Sequence, residues 1–242
     1  VSLKLLDLFC GGGGAGMGYH QSGFDVVGVD VNPQPRYPFE FHQADALQFL
    51  LEHGREFDVI HASPPCQAYS EMQKIWNNRD EHPDLIEPTR EILIASEKPY
   101  VIENVVGAPL RVDLMLCGTM FGLRIIRHRI FESNISMPLL TLSCNHTDVY
   151  DPYHGQNRTA NKFRDALGIN WLPLGGGTNK IGSMDEAIPP AYTKFIGGHL
   201  ANTALLSNTA CTRQGEEPRQ NDLFATGSDS VSSDGTSPAP CG

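Results

Sequence analysis

The chain has 242 residues, 40% of them hydrophobic and 19% charged, with six cysteines and a formal net charge of −10. That length allows one substantial core with a small appended lobe, and no apolar run approaches the ~20 residues of a membrane span. The N-terminus lacks a signal-peptide pattern, and cysteines 10, 66, 117, 144, 211 and 241 form no CxxC pair, which argues against a zinc ribbon or a disulfide scaffold and for reduced thiols in a cytoplasm.

The first predicted element is the apolar run LKLLDLF (3–9), a fully buried strand. It runs into DLFCGGGGAGMG (7–18), a glycine loop that opens a helix and lets the backbone come close to a ligand. FDVVGVDV (24–31) is the second strand and ends on Asp30, about 20 residues beyond the loop, where an acid accepts hydrogen bonds from ribose hydroxyls. DALQFLLEHG (45–54) reads as a helix that starts on Asp45 and stops at Gly54. Asp30 and Asp45 can also be plain helix caps. FDVIHAS (57–63) and YVIENV (100–105) repeat the strand character, and DLIEPTREILIASEK (84–98) has helical spacing. Strands alternating with helices predict a three-layered α/β fold with a mostly parallel, Rossmann-like sheet.

No basic residue follows the glycine loop as it does in GxxxxGK[ST], so a phosphate cradle is disfavoured. Asp7 precedes the loop instead, which suits a nucleoside ligand carrying a positive centre and an amino group, such as S-adenosylmethionine.

SPPCQ (63–67) follows the third long strand, at the sheet edge where open α/β folds bind ligands. Pro64 and Pro65 stiffen the turn and remove two backbone donors. Cys66 is either a buried core cysteine or a reactive thiol. The polar residues Gln67, Tyr69 and Ser70 that follow favour the thiol. Residues 70–83 are the natural lid. Glu103, at the end of its strand, can protonate or hydrogen-bond a ring nitrogen of a base, or simply pair with an arginine. Arg127 and Arg129 in RHRIF stand two apart in a strand-like stretch, which predicts one shared face.

Beyond Phe131 the periodicity fades into turn formers, and DEAIPPAYTKFIGGHLANTALL (185–206) returns to helix, with Pro189 or Pro190 in its first turn. The expected organisation is a catalytic core over 1–131, a reduced recognition region over 132–185, a helix completing the core over 186–206 and a disordered tail over 207–242. Cys144, His146 and His154 lack a fourth ligand, and no metal is expected.

Together DLFCGGGGAGMG, SPPCQ, ENV, RHR and EAIPPAYTKFIG stand in the order found in DNA cytosine-5 methyltransferases, and the chain resembles the compact phage members of that family over residues 3–200. The resemblance implies S-adenosylmethionine as cofactor. Phe9, Gly11 and Gly13 would surround its methionine part, Asp30 its ribose and Asp45 the adenine amino group; Asp7 and Pro64 complete the cofactor-binding set. It further implies Cys66 as nucleophile, Glu103 at cytosine N3, Arg129 near cytosine O2 and Arg127 as its companion, with Gln67 in the catalytic set. The segment 187–190 aligns only loosely with the family's late cofactor motif. A DPPY-type amino-methylating site would carry an acid or Asn at position 63, where this chain has Ser63.

The implied substrate is double-stranded DNA, methylated through a covalent cysteine adduct and base flipping by a monomer in a bacterial or phage-infected cell. Restriction-modification is the implied setting. The same chemistry on RNA, chiefly tRNA, and a non-catalytic DNA-binding role are the alternatives. Acidity opposes DNA binding: residues 202–242 hold Arg213 and Arg219 against five acids, so most of the negative charge lies in the folded part. DNA must then be met by local clusters such as LRIIRHR (123–129).

Overall fold

The computed structural model describes residues 2–65, 84–138, 143–147, 149, 160–172 and 187–214, with side chains for all of these except 160–163 and 203–214. The predicted strands appear as β1 (Lys4–Leu8), β2 (Asp25–Asp30), β4 (Val59–Ala62) and β5 (Tyr100–Asn104). Three more complete a seven-stranded sheet: β3 (Glu40–Gln43), β6 (Leu114–Leu116) and β7 (Arg129–Ser133), in the order β3-β2-β1-β4-β5-β7-β6. The pairs from β3 across to β5 are parallel, whereas β7 runs antiparallel to both β5 and β6. β7 crosses the boundary expected at residue 131.

The helices are α1 (Gly14–Gln21), α2 (Ala46–His53), α3 (Ile86–Ala95), α4 (Ala160–Leu167) and α5 (Pro190–Gln214). Asp45 starts α2 as expected, its Oδ1 accepting from the amides of Leu47 (3.0 Å) and Gln48 (2.9 Å). Pro190 is the first helical residue of α5, where its missing N–H costs nothing. This helix continues past the boundary expected at 206. α4 falls in a stretch expected to be loop; its sequence ANKFRDAL is amphipathic, but it is short, polar on average and set after a run of turn formers. Among the described residues, no helix is long and apolar enough to cross a membrane.

Strand alternation sorts the core into two layers. Leu6, Leu8, Ile60 and Ile102 face one side, packed with Leu50 of α2 and Leu93 of α3. Leu5, Val26, Val59, Val101 and Phe131 face the other, against Tyr19 of α1 and Tyr192 and Ile196 of α5. Leu5, Leu6 and Leu8 are all fully buried, so β1 is covered on both faces. Each such leucine contributes about 2 kcal/mol of burial. The chain's late helix closes back on its first: the Thr193 hydroxyl donates to the Ala15 carbonyl (2.8 Å) and Ser22 Oγ to the Lys194 carbonyl (2.8 Å). That closure brings Ala187 and Ile188 to the carboxyl edge of the sheet, where the glycine loop sits.

Candidate active site

The loop after β1 holds Phe9, Gly11 and Gly13 at positive φ (55°, 47° and 82°). Glycine adopts this conformation freely, whereas Phe9 is a non-glycine residue held there at a cost of about 1 kcal/mol or more. The loop is pinned from three sides. Gly11 N–H donates to Asp30 Oδ2 (3.0 Å), Cys10 N–H to the Val29 carbonyl (3.1 Å), and Trp171 Nε1–H to the Gly12 carbonyl (2.8 Å). Asp30 also accepts from the Asn32 amide at Oδ1 (2.8 Å). It therefore shapes the loop while lining the pocket that the loop borders.

Asp7 lies beneath this loop on β1, in register with Gly28 on one side and His61 on the other. A Cβ at Gly28 would overlap the Tyr37 ring, so glycine is what lets that ring lie on the sheet. Tyr37 thereby donates its hydroxyl to Asp7 Oδ2 (3.0 Å). Asp7 Oδ1 is buried without a hydrogen-bond partner. Burial, with some repulsion from Asp30, pushes the Asp7 carboxyl up to about 7, against the lowering effect of Tyr37 and the Gly16 amide. Burial likewise pushes the Cys10 thiol far up, so Cys10 is no nucleophile.

Glu103, near the end of β5, and Arg129, the first residue of β7, are both buried on the same pocket. Arg129 Nε stands 2.9 Å from Glu103 Oε1 as an ion pair whose geometry is not that of an aligned hydrogen bond. Burial raises the Glu103 carboxyl above its usual range; Arg129, Arg127 and a hydrogen bond from Ser63 work against that. Arg129 Nη1 donates to the His128 carbonyl (2.8 Å), which fixes the guanidinium. Arg127 does not share a strand face with Arg129, because β7 begins only at Arg129. It is buried, acts on Glu103 through its charge, and is absent from the pocket lining.

The turn before the cysteine is held from β5. Asn104 Nδ2 donates to the Pro64 carbonyl (3.0 Å), and both Pro64 and Pro65 line the pocket. Cys66, Gln67 and the lid expected over 70–83 lie outside the described residues. Asp45 caps α2 and is not among the residues that line the pocket.

Sequence reasoning missed a buried chain behind Glu103. Tyr19 and His61 Nδ1 are 3.0 Å apart, and His61 Nε2 and Ser63 Oγ 2.9 Å. Burial pushes His61 down to about 3, so the ring is neutral. Tyr19 O–H to Nδ1, Nε2–H to Ser63 and Ser63 O–H to Glu103 then form one continuous donor chain, which ends on the carboxylate. The visible signal was a histidine inside the apolar strand DVIHAS. Ala187 and Ile188, left unassigned by the loose motif match, line the pocket.

Comparison with known proteins bears on the same segments. The family described as C-5 cytosine-specific DNA methylase matches residues 3–109. The Type II methyltransferase M1.HphI of Haemophilus parahaemolyticus is 31% identical over 122 residues, which is 43% of this chain and 33% of that protein. M.HgiGI of Herpetosiphon aurantiacus, also a Type II methyltransferase, is 30% identical over 125 residues, 45% of this chain and 94% of the relative. The chain thus spans only 33% of M1.HphI, and 49% of the similarly matched M.AquIA. The Dnmt2 methyltransferase of S. pombe shares the fold, with a TM-score of 0.55 at 12% identity, over 87% of this chain and 99% of that one. With a relative matched over nearly its whole length and the family's own pattern running from β1 past β5, the chain belongs to the C-5 cytosine-specific DNA methylases.

Proposed function

We propose that this chain transfers a methyl group from S-adenosylmethionine to carbon 5 of cytosine in double-stranded DNA, acting as a monomer in the cytoplasm. The observation that carries the reading is the shared pocket. One cavity is lined by the glycine loop, Asp30, Pro64 and Pro65, Glu103 and Arg129. A cofactor and a flipped base could therefore meet there.

The residues fit the cofactor. Among the described residues, Asp7, Asp30 and Glu103 line the pocket beside one basic group, Arg129, which pairs with Glu103, so the lining carries no positive excess to hold a phosphate. The buried, partnerless Oδ1 of Asp7 is an acceptor in search of a donor or a positive charge. Phe9 and Gly11 would follow the methionine part, Asp30 the ribose and Ile188 the pocket wall, while Gly13, which faces Tyr37 and Pro38 and does not line the pocket, would shape the loop. Asp45 would act on the adenine amino group through its place at the start of α2. When bound, S-adenosylmethionine supplies an electrophilic methyl group.

Carbon 5 of cytosine is a poor nucleophile until a group adds across the 5,6 double bond. Cys66, two residues beyond the Pro64 whose carbonyl Asn104 holds, would add as a thiolate to carbon 6, with Gln67 next in the chain in the catalytic set. Glu103, whose carboxyl burial biases toward the protonated form, donates to N3 and takes up the charge that develops there. Arg129 directs its guanidinium to the base carbonyl at O2, and Arg127 supports it from behind. Once carbon 5 is methylated, its proton leaves to water, the Cys66–carbon 6 bond breaks to return the thiolate, and N3 gives its proton back to Glu103. The base must leave the helix stack to be reached, at a cost of a few kcal/mol.

Nucleoside mass spectrometry on DNA and RNA from bacteria expressing the wild type or Cys66→Ala tests the reading. It expects 5-methylcytosine to rise in DNA with the wild type alone. A rise confined to RNA, or none in either, overturns it.

A further inference from the structure

Four residues from three separate segments come together on the side of the sheet's antiparallel edge. Cys117 follows β6, His128 precedes β7, and Cys144 and His146 lie beyond it. One ligand atom from each lies within 4.8 Å of all the others. Cys117 Sγ is 3.6 Å from His146 Nε2, and Cys144 Sγ is 3.6 Å from His128 Nε2.

We propose that Cys117, His128, Cys144 and His146 bind one structural zinc ion. With Zn–S near 2.3 Å and Zn–N near 2.1 Å, a tetrahedron has a sulfur-to-nitrogen edge of about 3.6 Å. Two of its edges already have that length. Two thiol–imidazole hydrogen bonds would account for two contacts, but not for all four ligand atoms lying within 4.8 Å of one another. The histidine rings stand edge to face, with centroids 5.1 Å apart and planes at 73°. Two sulfurs and two imidazole nitrogens, with no carboxylate, select zinc over magnesium or calcium.

The sulfur of Cys117 is also prepared for a negative charge. It accepts from the Thr119 hydroxyl (3.4 Å), a donor that stabilises a coordinated thiolate. On binding, the two thiols release their protons to solvent. Sequence alone offered Cys144 and His146 with His154, which lies outside the described residues. The folded chain supplies Cys117 and His128 instead.

The ion would tie three segments: the end of β6, the arginine stretch and the first part of the 132–185 region. His128 sits between Arg127 and Arg129, and its carbonyl holds the Arg129 guanidinium. Zinc would therefore act as a positioning element for Arg129. None of the four ligands lines the pocket, so this proposal and the proposed reaction can fail separately.

Elemental analysis of the full chain, purified without a metal-binding tag and under reducing conditions, tests the site. About one zinc per chain is expected, falling to near zero in Cys144→Ser and in His146→Ala. X-ray absorption at the zinc edge of the wild type should show a shell of two sulfurs and two nitrogens, a readout that stands even if the variants fail to fold. A wild type that holds no zinc after exchange against the free ion overturns the proposal. So does full zinc retention in both variants, or a shell without sulfur.

Discussion

Replacing Asp7 by Asn should stabilise the ligand-free chain while weakening its hold on the cofactor. Asp7 is fully buried, with one oxygen bonded to Tyr37 and the other without a partner. Its carboxyl rises from an ordinary 3.8 to about 7, so the folded chain binds this proton more tightly than the unfolded one. The associated stability is fully present below about pH 4 and is lost as the pH climbs to about 7. Above that, the ionised Asp7 costs the folded state about 4 kcal/mol. Asn cannot ionise, and its carbonyl oxygen can still accept from Tyr37. At pH 8 the variant should melt roughly 8–16 °C above the wild type, with the gap shrinking to a few degrees by pH 5. Thermal melts at both pH values, with and without S-adenosylhomocysteine, provide the assay. The ligand should raise the wild-type midpoint more at pH 8 than at pH 6 and raise that of the variant little. A variant less stable than the wild type at pH 8, or a gap independent of pH, would refute the reasoning.

Glu103→Gln should lower the single-turnover rate of methyl transfer by about 10²–10⁴-fold, because an amide cannot supply the proton at N3; rapid-quench assays with labelled cofactor read this directly. Asn104→Ala frees the Pro64 carbonyl from its hydrogen bond and should cost about 1–3 kcal/mol in urea denaturation, together with a drop in kcat. Arg90 grips Glu132 with two bonds (Nε to Oε1, 2.8 Å; Nη2 to Oε2, 2.9 Å). Because the Glu132 side chain is only 2% exposed, Arg90→Ala leaves its buried charge with the Arg111 amide (2.9 Å) as its remaining hydrogen-bond donor among the described residues and should cost about 3 kcal/mol in the same denaturation experiment.

The sheet was most legible where strands are buried on both faces. β1, β2, β4 and β5 read as apolar runs because neither side meets water. β3 escaped notice because EFHQ is exposed or half-buried along its length and carries no run at all. β7 is wholly buried yet contains Arg129 and Glu132, each neutralised by a partner distant in sequence, Glu103 and Arg90. No local pattern encodes such a pairing.

The same logic separates the site residues. Glu103 and Asp30 could be placed because each ends a strand at the ligand-binding edge. The shared face of Arg127 and Arg129 failed because a two-residue spacing implies a face only inside a strand, and the strand starts two residues too late for Arg127. The Cys117–His128–Cys144–His146 cluster was invisible for a different reason. Its members come from three segments with no common spacing, and only the antiparallel turn from β6 to β7 brings the first two together.

The most direct test of the central claim is covalent capture. The wild type and Cys66→Ala would be incubated with S-adenosylmethionine and random-sequence duplexes in which every cytosine carries fluorine at carbon 5. Fluorine cannot leave as a proton does, so an adduct, once methylated, cannot break down. The account predicts a wild-type species heavier by one DNA strand, with the linkage mapped to Cys66. It should be absent from the variant and from reactions without cofactor. Methyl transfer to ordinary cytosine with no such adduct, or an adduct on any other residue, would contradict it.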